Sequence, residues 1–289
     1  MKKILILGTL GMAGHIMAEY LDNTNKYTIY GVARSGKSKY VTKTLDVNNF
    51  DILEEYIKEI NPDVIINCIG ILVSQSNSEL TTAIQINSYL PHFLSELGKK
   101  VSYKLIHIST DCVFSGKIGG YTETSFRDGD DNYARTKALG EIINDHDLTI
   151  RTSIIGPELK SNGTGLLDWF FKQNGDIYGY THAYWSGVTT LELAKQTSAF
   201  LEQDIVGLYH LCPEDKISKY ELLNKCAQIW NKKINIKEKN DYYVDKSLIC
   251  TRNDFIYLNH RPNYKDMLEE MRIWMDEHPH LYTHYESYM

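Results

Sequence analysis

The first 156 residues alternate short apolar runs with longer amphipathic stretches, and few folds are compatible with this rhythm. The apolar runs are rich in Ile, Leu and Val, as are strands buried on both faces of a parallel sheet. The amphipathic stretches are long enough for helices that carry the chain back to the next parallel strand. We predict strands at residues 3–7, 28–33, 64–69, 105–109 and 149–152, and helices at 12–21, 50–60, 80–97 and 132–144.

The second half of the chain has a different pattern, in which the alternation fades after Gly156-Pro157 and aromatic residues become more frequent. Helices are predicted at 166–173, 190–201, 219–230 and 264–277, and a strand at 206–211. We expect an α/β fold with a doubly wound parallel sheet in residues 1–156 and a smaller α+β part in residues 157–289, loosely bounded because the chain can cross back. Ligands of such sheets bind beyond the carboxyl ends of the strands, where the second part is expected to close.

A glycine-rich turn joins the first predicted strand to the first predicted helix. Glycines at a G-x-x-G-x-x-G spacing permit a tight turn, close approach of a phosphate and packing of helix on strand. The helix N–H groups then face a pyrophosphate. This context favours a dinucleotide site of the Rossmann type over a chance turn, with seven candidate contacts: Gly8, Thr9, Leu10, Gly11, Met12, Ala13 and Gly14.

The end of the second predicted strand bears on the choice of cofactor. An acidic residue there accepts from a free ribose 2′-hydroxyl, but this chain has Ala33-Arg34-Ser35-Gly36-Lys37. Arg34 is suited to a 2′-phosphate, which favours NADPH, with NADH as the other possibility. The alternative is that these charges are merely solvated. Asp46 is either an adenine contact or a turn residue.

Tyr133 and Lys137 form a Y-x-x-x-K pair on a predicted helix, where residues four apart share a face. Ser109-Thr110-Asp111 ends a preceding strand. An ammonium lowers the pKa of a nearby phenol from about 10, and a threonine hydroxyl can hold the same substrate oxygen. A single Y-x-x-x-K match is weak evidence for a catalytic site, because the chain has 21 tyrosines and matches arise by chance. Together with the glycine turn, it indicates a reductase site at one edge of the sheet.

Several segments occur in the order and spacing of a known family: GTLGMAG, NPDVIINCIG, ISTDCVFSG, YTETS, YARTKALGE and IRTSIIGPE. They cover about the first 160 residues, and WSGVTTLELAK, GLYHL and KSL around Ser247 match more loosely. The chain resembles the extended short-chain dehydrogenase/reductases, specifically the dTDP-4-dehydrorhamnose reductase family, which serves deoxysugar and polysaccharide biosynthesis.

The resemblance implies NADPH-dependent reduction of the 4-keto group of a nucleotide-linked 4-keto-6-deoxyhexose. Thr110, Tyr133 and Lys137 would be the catalytic set, with Tyr133 as proton donor. Tyr133 and Lys137 would also contact the cofactor, with Lys137 hydrogen bonded to the nicotinamide ribose. The family position beneath the cofactor is occupied here by Cys68-Ile69-Gly70. Asn87 falls where these enzymes keep a structural or proton-relay asparagine, although a helix cap is an equal alternative.

Two departures from the family pattern concern the substrate. Ile154 stands where the rhamnose-forming enzymes carry tryptophan, and Cys112 stands where an aromatic residue is usual. Cys112 lies two residues after Thr110 and is expected on the same side of an extended segment. In related epimerase/reductases a cysteine at this offset moves a proton beside the ketone, so a bifunctional epimerase/reductase is one alternative. Its second acid or base would be His182 or Lys172.

Two further alternatives assume the same fold but a different function. One is a non-catalytic regulatory subunit that binds NADP, and the other is an epimerase or dehydratase that retains its nicotinamide through the cycle. For any sugar substrate, the centre of the site is expected to hold Thr110, Asp111, Cys112 and Tyr133. The candidates for the diphosphate and for an aromatic wall come from the second half: Lys172, Lys246, Arg252 and Trp185.

Composition limits partners and location. A net charge of −6 gives no general attraction to nucleic acid or anionic membrane. No apolar run reaches the roughly 18 residues of a membrane span.

The cysteines are scattered and odd in number, which argues against disulfides and zinc: Cys68, Cys112, Cys212, Cys226 and Cys250. His278, His280 and His284 are interpreted as a solvated polar tail, with no metal site. We expect a soluble cytoplasmic protein, with a homodimer as one possibility.

Overall fold

The computed structural model describes residues 1–258 and 261–285. Over these residues the centre of the fold is a seven-stranded parallel sheet in the order β10-β6-β5-β4-β1-β2-β3. The order reverses on either side of β1, which makes a topological switch point. The strands are β1 Lys2–Leu7, β2 Tyr27–Ala33, β3 Lys43–Thr44, β4 Val64–Asn67, β5 Lys104–Thr110, β6 Leu148–Thr152, β7 Ile154–Ile155, β8 Asp176–Trp185, β9 Val188–Thr189, β10 Gly207–His210, β11 Ile217–Ser218 and β12 Asn235–Asp245.

Helices cover both faces of the sheet, so the predicted doubly wound α/β class is confirmed. Alternate residues of β1 point to opposite faces: Ile4 and Ile6 join one apolar core, and Leu5 and Leu7 join the other. The helices are α1 Met12–Asn23, α2 Phe50–Ile60, α3 Val73–Ser78, α4 Leu80–Ala83, α5 Leu90–Val101, α6 Asn132–Leu139, α7 Leu166–Lys172, α8 Thr190–Gln203, α9 Lys219–Ile229 and α10 Tyr264–Glu277.

The second half of the chain contributes to both parts of the structure. Strand β10 returns to the central sheet and pairs with β6, as the prediction of a strand near residues 206–211 allowed. Strand β8 forms a separate small sheet with β11 and β12, and β7 pairs with β9. Neither β8 nor β12 was predicted. Strand β12 is largely exposed, so its sequence lacks the apolar alternation that marks a half-buried strand.

Two predicted helices differ from the observed ones. The helix expected at 80–97 is divided by a π-helical turn, Ile84–Tyr89, between α4 and α5. The helix expected at 132–144 ends at Leu139, and Gly140 is its C-cap. A Cβ at Gly140 would lie 1.8 Å from the Asn87 carbonyl oxygen. Only a glycine therefore allows the end of α6 to pack this closely on the π-helical turn.

The C-terminal segment is packed rather than solvated, which corrects the expectation for this region. Tyr282 and Tyr285 are buried, and the Tyr282 hydroxyl lies 2.9 Å from Nε2 of His15 on α1. His278 stacks on Trp274 with ring centroids 4.1 Å apart, and His284 lies against Tyr285. Among the described residues, no helix is both long enough and apolar enough to cross a membrane.

A buried ion pair joins the carboxyl ends of three neighbouring strands. Glu141, just after α6, accepts from Arg151 of β6 at 2.6 Å, and both side chains are at most 1% exposed. Ser109 of β5 donates to the same carboxylate at 2.7 Å. Arg151 also contacts His210 of β10 at 2.7 Å. Burial alone would raise the pKa of Glu141, but the hydrogen bonds and charge of Arg151 outweigh it and leave that pKa lowered.

We expect Glu141→Gln to lower the free energy of unfolding by about 3 kcal/mol, because it leaves the Arg151 charge buried without its partner. Urea denaturation measures the change. Since the folded-state pKa of Glu141 is lowered, its contribution is present above the ordinary glutamate pKa of about 4.3 and is lost on acidification. The difference in the free energy of unfolding between the unmodified protein and Glu141→Gln should therefore become smaller at acidic pH.

Glu202→Gln is the matched control, because Glu202 pairs with Lys26 at the surface with exposed fractions of 48% and 57%. It should change the free energy of unfolding by less than about 1 kcal/mol. Equal effects of the two substitutions would show that the buried pair does not hold the strand ends together.

Candidate functional site

The glycine turn has the backbone geometry that its sequence predicts. Gly8 has a φ of +86°, a conformation that favours glycine, and its N–H donates to the Val32 carbonyl at 2.9 Å. The Gly11 N–H donates back to the Gly8 carbonyl at 2.9 Å. A Cβ at Gly14 would lie 2.1 Å from the Gly8 carbonyl oxygen, so helix α1 can pack this closely only on a glycine.

The seven residues of the turn divide into two groups. Gly8, Leu10 and Gly11 line an open cleft, whereas Thr9 is buried and donates its hydroxyl to the Ile6 carbonyl at 3.0 Å. Ala13 and Gly14 are buried in the packing of α1, and Met12 lies against Gly165. Gly11 caps α1 without a side-chain hydrogen bond, which leaves first-turn N–H groups for an anionic ligand. These features fit a dinucleotide pyrophosphate.

The cleft beside this turn has a volume of about 300 Å³. Arg34 and Asp46 stand at one side, and Cys68, Ile69 and Gly70 form another wall, so all five predicted residues meet here. The sequence analysis did not identify several further lining residues, which carry no motif: Val47, Asn48, Ile71, Gln75, Thr82, Ile86 and Lys160.

Arg34 and Asp46 differ in how their charges are used. Arg34 is exposed at the cleft, and no hydrogen bond or ion pair holds its guanidinium within the part of the chain that the structure describes. The Asp46 carboxylate accepts from the Asn48 backbone N–H at 3.0 Å and also from its side chain, so Asp46 acts as a turn residue at the edge of the cleft.

Asn87 fixes the wall that follows β4. Its side-chain oxygen accepts from the Ile71 N–H at 2.8 Å, and its side-chain NH₂ donates to the Ile71 carbonyl at 2.9 Å. The same NH₂ lies 3.2 Å from the Thr136 hydroxyl on α6. Asn87 thus connects the cleft wall to α6 through hydrogen bonds.

Thr110 and Tyr133 meet at the carboxyl end of β5. The Thr110 hydroxyl acts on the Tyr133 phenol and itself donates to the Asp111 carboxylate at 3.2 Å. Thr110 also accepts from the Cys112 backbone N–H at 3.1 Å, which fixes the turn after the strand. Burial is the main reason that the pKa of Tyr133 is raised, the nearby Cys112 adds to the shift, and the bond to Thr110 opposes it.

Lys137 lies deep in the structure, one helical turn after Tyr133, and is only 3% exposed. Its Nζ donates to the Ile108 carbonyl at 2.8 Å and lies 3.4 Å from Nε2 of His107. Burial lowers the pKa of Lys137 to about 8, although the charge of Glu141 and the neighbouring Cys68 act in the opposite direction. The proximity of Cys68 connects Lys137 to the wall of the cleft.

Asp111 and Cys112 face two lysines from the second half of the chain. Lys246 acts electrostatically on both Cys112 and Asp111, and Lys219 also acts on Asp111. Burial raises the pKa of the Cys112 thiol to about 12, and the Asp111 carboxylate adds to this. The backbone holds Lys246 here, because the Asp245 N–H donates to the Gly116 carbonyl at 2.7 Å.

The candidate substrate residues of the second half are therefore only partly brought together. Trp185 lies beside the group through Lys219, whose ammonium is 4.8 Å from the indole centroid. Sequence reasoning did not identify Lys219, which has no motif and is brought to the site by the start of α9.

Lys172, Arg252 and His182 have other partners in this structure, and their role at a substrate stays a prediction. The Lys172 ammonium is held by Asp168 at 2.5 Å and by the Ser161 carbonyl. Arg252 donates to the Val206 and Leu208 carbonyls and pairs with Asp254. His182 stacks on Tyr243 in the small sheet. Within residues 1–258 and 261–285, no group of three or more His, Cys, Asp and Glu side chains is arranged to hold a metal ion.

Comparisons with known proteins agree with the motifs. Residues 1–271 match the model described as the RmlD substrate binding domain. The dTDP-4-dehydrorhamnose reductase of Aggregatibacter actinomycetemcomitans is 28% identical over 234 residues, which is 76% of each chain. The methionine adenosyltransferase 2 subunit beta of Mus musculus is 22% identical over 250 residues, covering 80% of this chain and 72% of the relative.

Solved structures agree on the fold. The crystal structure of a dTDP-4-dehydrorhamnose reductase from Bacillus anthracis in complex with NADP superposes with a TM-score of 0.80. It is 24% identical, and the match covers 95% of this chain and 99% of that one. The resemblance predicted from the motifs is confirmed: with a family model matched over residues 1–271 of 289, the chain belongs to the family of the RmlD substrate binding domain.

Proposed function

We propose that the protein is an NADPH-dependent reductase of the 4-keto group of a nucleotide-linked 4-keto-6-deoxyhexose. The observation that carries the proposal is that Thr110, at the carboxyl end of β5, lies close enough to Tyr133 on α6 to act on the pKa of its phenol. Two hydroxyls that converge on one point beside a dinucleotide cleft suit a carbonyl oxygen that gains a proton. The names of the family's reductases support the same reaction class.

A bound reduced nicotinamide supplies the hydride for this reaction. The chain's own residues stabilise and protonate the substrate carbonyl oxygen, which becomes negative when the hydride is transferred. Tyr133 donates its phenolic proton to that oxygen, and the Thr110 hydroxyl donates a hydrogen bond that holds it in place. Lys137, charged below a pKa of about 8, stabilises the tyrosinate on the preceding helical turn.

The cations of the second half are proposed to bind the substrate. Lys246 and Lys219 converge on Asp111 beside the catalytic hydroxyls, and Trp185 provides an aromatic surface under Lys219. An oxygen-rich, negatively charged sugar nucleotide is complementary to two ammonium groups and one carboxylate. In contrast, the charges of Lys172 and Arg252 are already paired with the carboxylates of Asp168 and Asp254.

The alternative of a bifunctional epimerase/reductase is less well supported. Epimerisation beside a ketone removes a proton from one face of the sugar and returns it on the other, so it needs an acid or base on each face, but burial holds the pKa of the Cys112 thiol at about 12. The two candidates for the other face, His182 and Lys172, lie outside the cluster around Thr110. We therefore propose a simple ketoreductase in which Cys112 contributes packing.

The alternative of a non-catalytic subunit is suggested by the relative that is named a subunit of methionine adenosyltransferase. The contacts around Thr110, Tyr133 and Lys137 favour an enzyme. The direct test offers dTDP-, UDP-, GDP- and CDP-linked 4-keto-6-deoxyhexoses with NADPH and follows the loss of reduced nicotinamide absorbance. Binding of NADPH with no turnover of any of these sugars would favour the subunit.

We expect Tyr133→Phe to retain NADPH binding and to lower kcat by at least about 100-fold, because the ring remains while the proton donor is lost. Fluorescence titration of NADPH and a steady-state reduction assay measure the two effects. Tyr178→Phe is the control, since that side chain is 60% exposed in β8. Turnover by Tyr133→Phe close to that of the control would remove Tyr133 from the mechanism.

We expect NADPH to be preferred over NADH, and Arg34→Ala to narrow the preference by about tenfold or more. Charge-assisted hydrogen bonds of the kind that a guanidinium makes to a phosphate contribute about 1.5–3 kcal/mol. The ratio of kcat/KM for the two cofactors measures the preference. Lys37→Ala is the control, because Lys37 is in the same loop but does not line the cleft. A better rate with NADH in the unmodified protein would refute the assignment.

We expect no enzyme-dependent uptake of solvent deuterium at C3 or C5 when a 4-keto sugar nucleotide is incubated with the protein in D₂O. The reason is the raised pKa of the Cys112 thiol, to about 12, which leaves little thiolate at neutral pH. Mass spectrometry of the recovered sugar measures the uptake. Deuterium that is incorporated by the native protein and lost in Cys112→Ser would instead establish the epimerase.

A further inference from the structure

Lys137 has an imidazole neighbour on the central sheet whose role the reaction itself does not explain. His107 lies in β5, is 1% exposed, and places its Nε2 3.4 Å from the Lys137 Nζ. The other hydrogen bond of this Nζ goes to the Ile108 carbonyl at 2.8 Å. What the imidazole does to the lysine depends on which of its ring nitrogens carries the proton.

Asn67 determines the position of that proton. The Ile69 backbone N–H donates to the Asn67 side-chain oxygen at 3.1 Å, which fixes the orientation of the amide. The Asn67 NH₂ then lies 3.3 Å from Nδ1 of His107. An amide NH₂ can only donate, so Nδ1 must accept and cannot carry a proton. Burial holds the pKa of His107 well below its ordinary value, so the ring is neutral and its proton is on Nε2.

An Nε2–H directed at Lys137 discriminates between the two charge states of the lysine. A neutral amine has a lone pair that accepts this N–H, whereas an ammonium has only donors and opposes it. The Ile108 carbonyl accepts an N–H from either form. The Nε2–H therefore has an acceptor in Nζ only when the lysine is uncharged.

The other titratable groups around the pair do not reverse this preference. Glu141 and Cys68 act on Lys137 and favour its charged form, but burial outweighs them. His92 and Lys137 act on His107, and both favour a neutral ring. Tyr133 stands on the preceding turn of α6.

We propose that Asn67 and His107 are positioning residues that hold the imidazole proton on Nε2 and thereby favour the uncharged amine of Lys137. The proposal deepens the proposed function, because its catalytic meaning rests on Lys137 assisting Tyr133. Burial lowers the pKa of Lys137 to about 8 from the ordinary lysine value of about 10.4, and the Nε2–H of His107 would act in the same direction. Reduction that needs the ammonium should decline as the pH rises through this range.

The position of the proton can be measured directly. Protein labelled with ¹⁵N-histidine gives long-range ¹H–¹⁵N correlations that distinguish a protonated from an unprotonated ring nitrogen, and His107→Phe assigns the signals of His107. We expect a protonated Nε2 and an unprotonated Nδ1 over the neutral pH range. A proton on Nδ1 would overturn the proposal.

The charge of Lys137 can be measured in the same protein. The ¹³Cε signal of lysine reports its titration, and Lys137→Met assigns the signal. Asn67→Asp keeps the acceptor for the Ile69 N–H but replaces the NH₂ by an oxygen, which draws the imidazole proton to Nδ1. The bare Nε2 can then accept from the ammonium, so the titration midpoint of Lys137 should rise by about one pH unit or more.

Asn132→Asp is the matched control, because it adds the same charge on the helix that carries Lys137 but does not contact His107. It should move the midpoint much less than Asn67→Asp does. Equal shifts would show that charge alone acts, and no shift in Asn67→Asp would show that the amide has no role; either result overturns the proposal. If Asn67→Asp does not fold, the nitrogen measurement on the unmodified protein still decides.

Neither measurement uses a sugar substrate, so the two proposals can fail separately. An Nε2 proton together with no reduction of any 4-keto sugar would contradict the proposed function alone. Reduction together with an Nδ1 proton would contradict the role of Asn67 and His107 alone.

Discussion

The Glu141 carboxylate is a buried charge, and the carboxyl edge of the sheet depends on how it is compensated. Arg151 and Ser109 bind it, and each precedes by one residue a threonine at the end of its strand. Thr110, the threonine that follows Ser109, is a catalytic candidate. The same carboxylate acts on Lys137 and favours its charged form. One ionised group therefore aligns the strand ends and contributes to the electrostatics of the lysine.

Close approach of backbones places the rest of the site. Helix α1 packs on the Gly8 carbonyl through Gly14, and Gly140 packs on the Asn87 carbonyl, so neither position has room for a side chain. The first contact opens the anion-binding start of α1 beside the sheet. The second seats α6 against the wall of the cleft, with Tyr133 and Lys137 directed towards β5.

Local sequence patterns were sufficient to name the candidate site residues that belong to a motif. Tyr133 and Lys137 follow from helical spacing, and Gly8, Gly11 and Gly14 follow from the strand-to-helix turn. Residues brought in by tertiary contacts were harder to choose. Lys246 was named together with Lys172 and Arg252, yet only Lys246 acts on Cys112, because the N–H of the preceding Asp245 is bonded to the Gly116 carbonyl. Exposed strands such as β12 lack the alternation that would have revealed them.

The contact between His15 and Tyr282 spans almost the whole chain and bears on the order of events during synthesis. His15 follows the glycine turn on α1 and also bonds the Gly11 carbonyl at 2.9 Å, while Trp274 donates to the same Tyr282 hydroxyl. A ribosome delivers residues in order, and N-terminal parts usually fold first. Tyr282 lies 267 residues after His15, so this contact of α1 can form only once the segment around Tyr282 has been synthesised. The packing of α1 against β1, β2 and α8 needs no residue after Gln203.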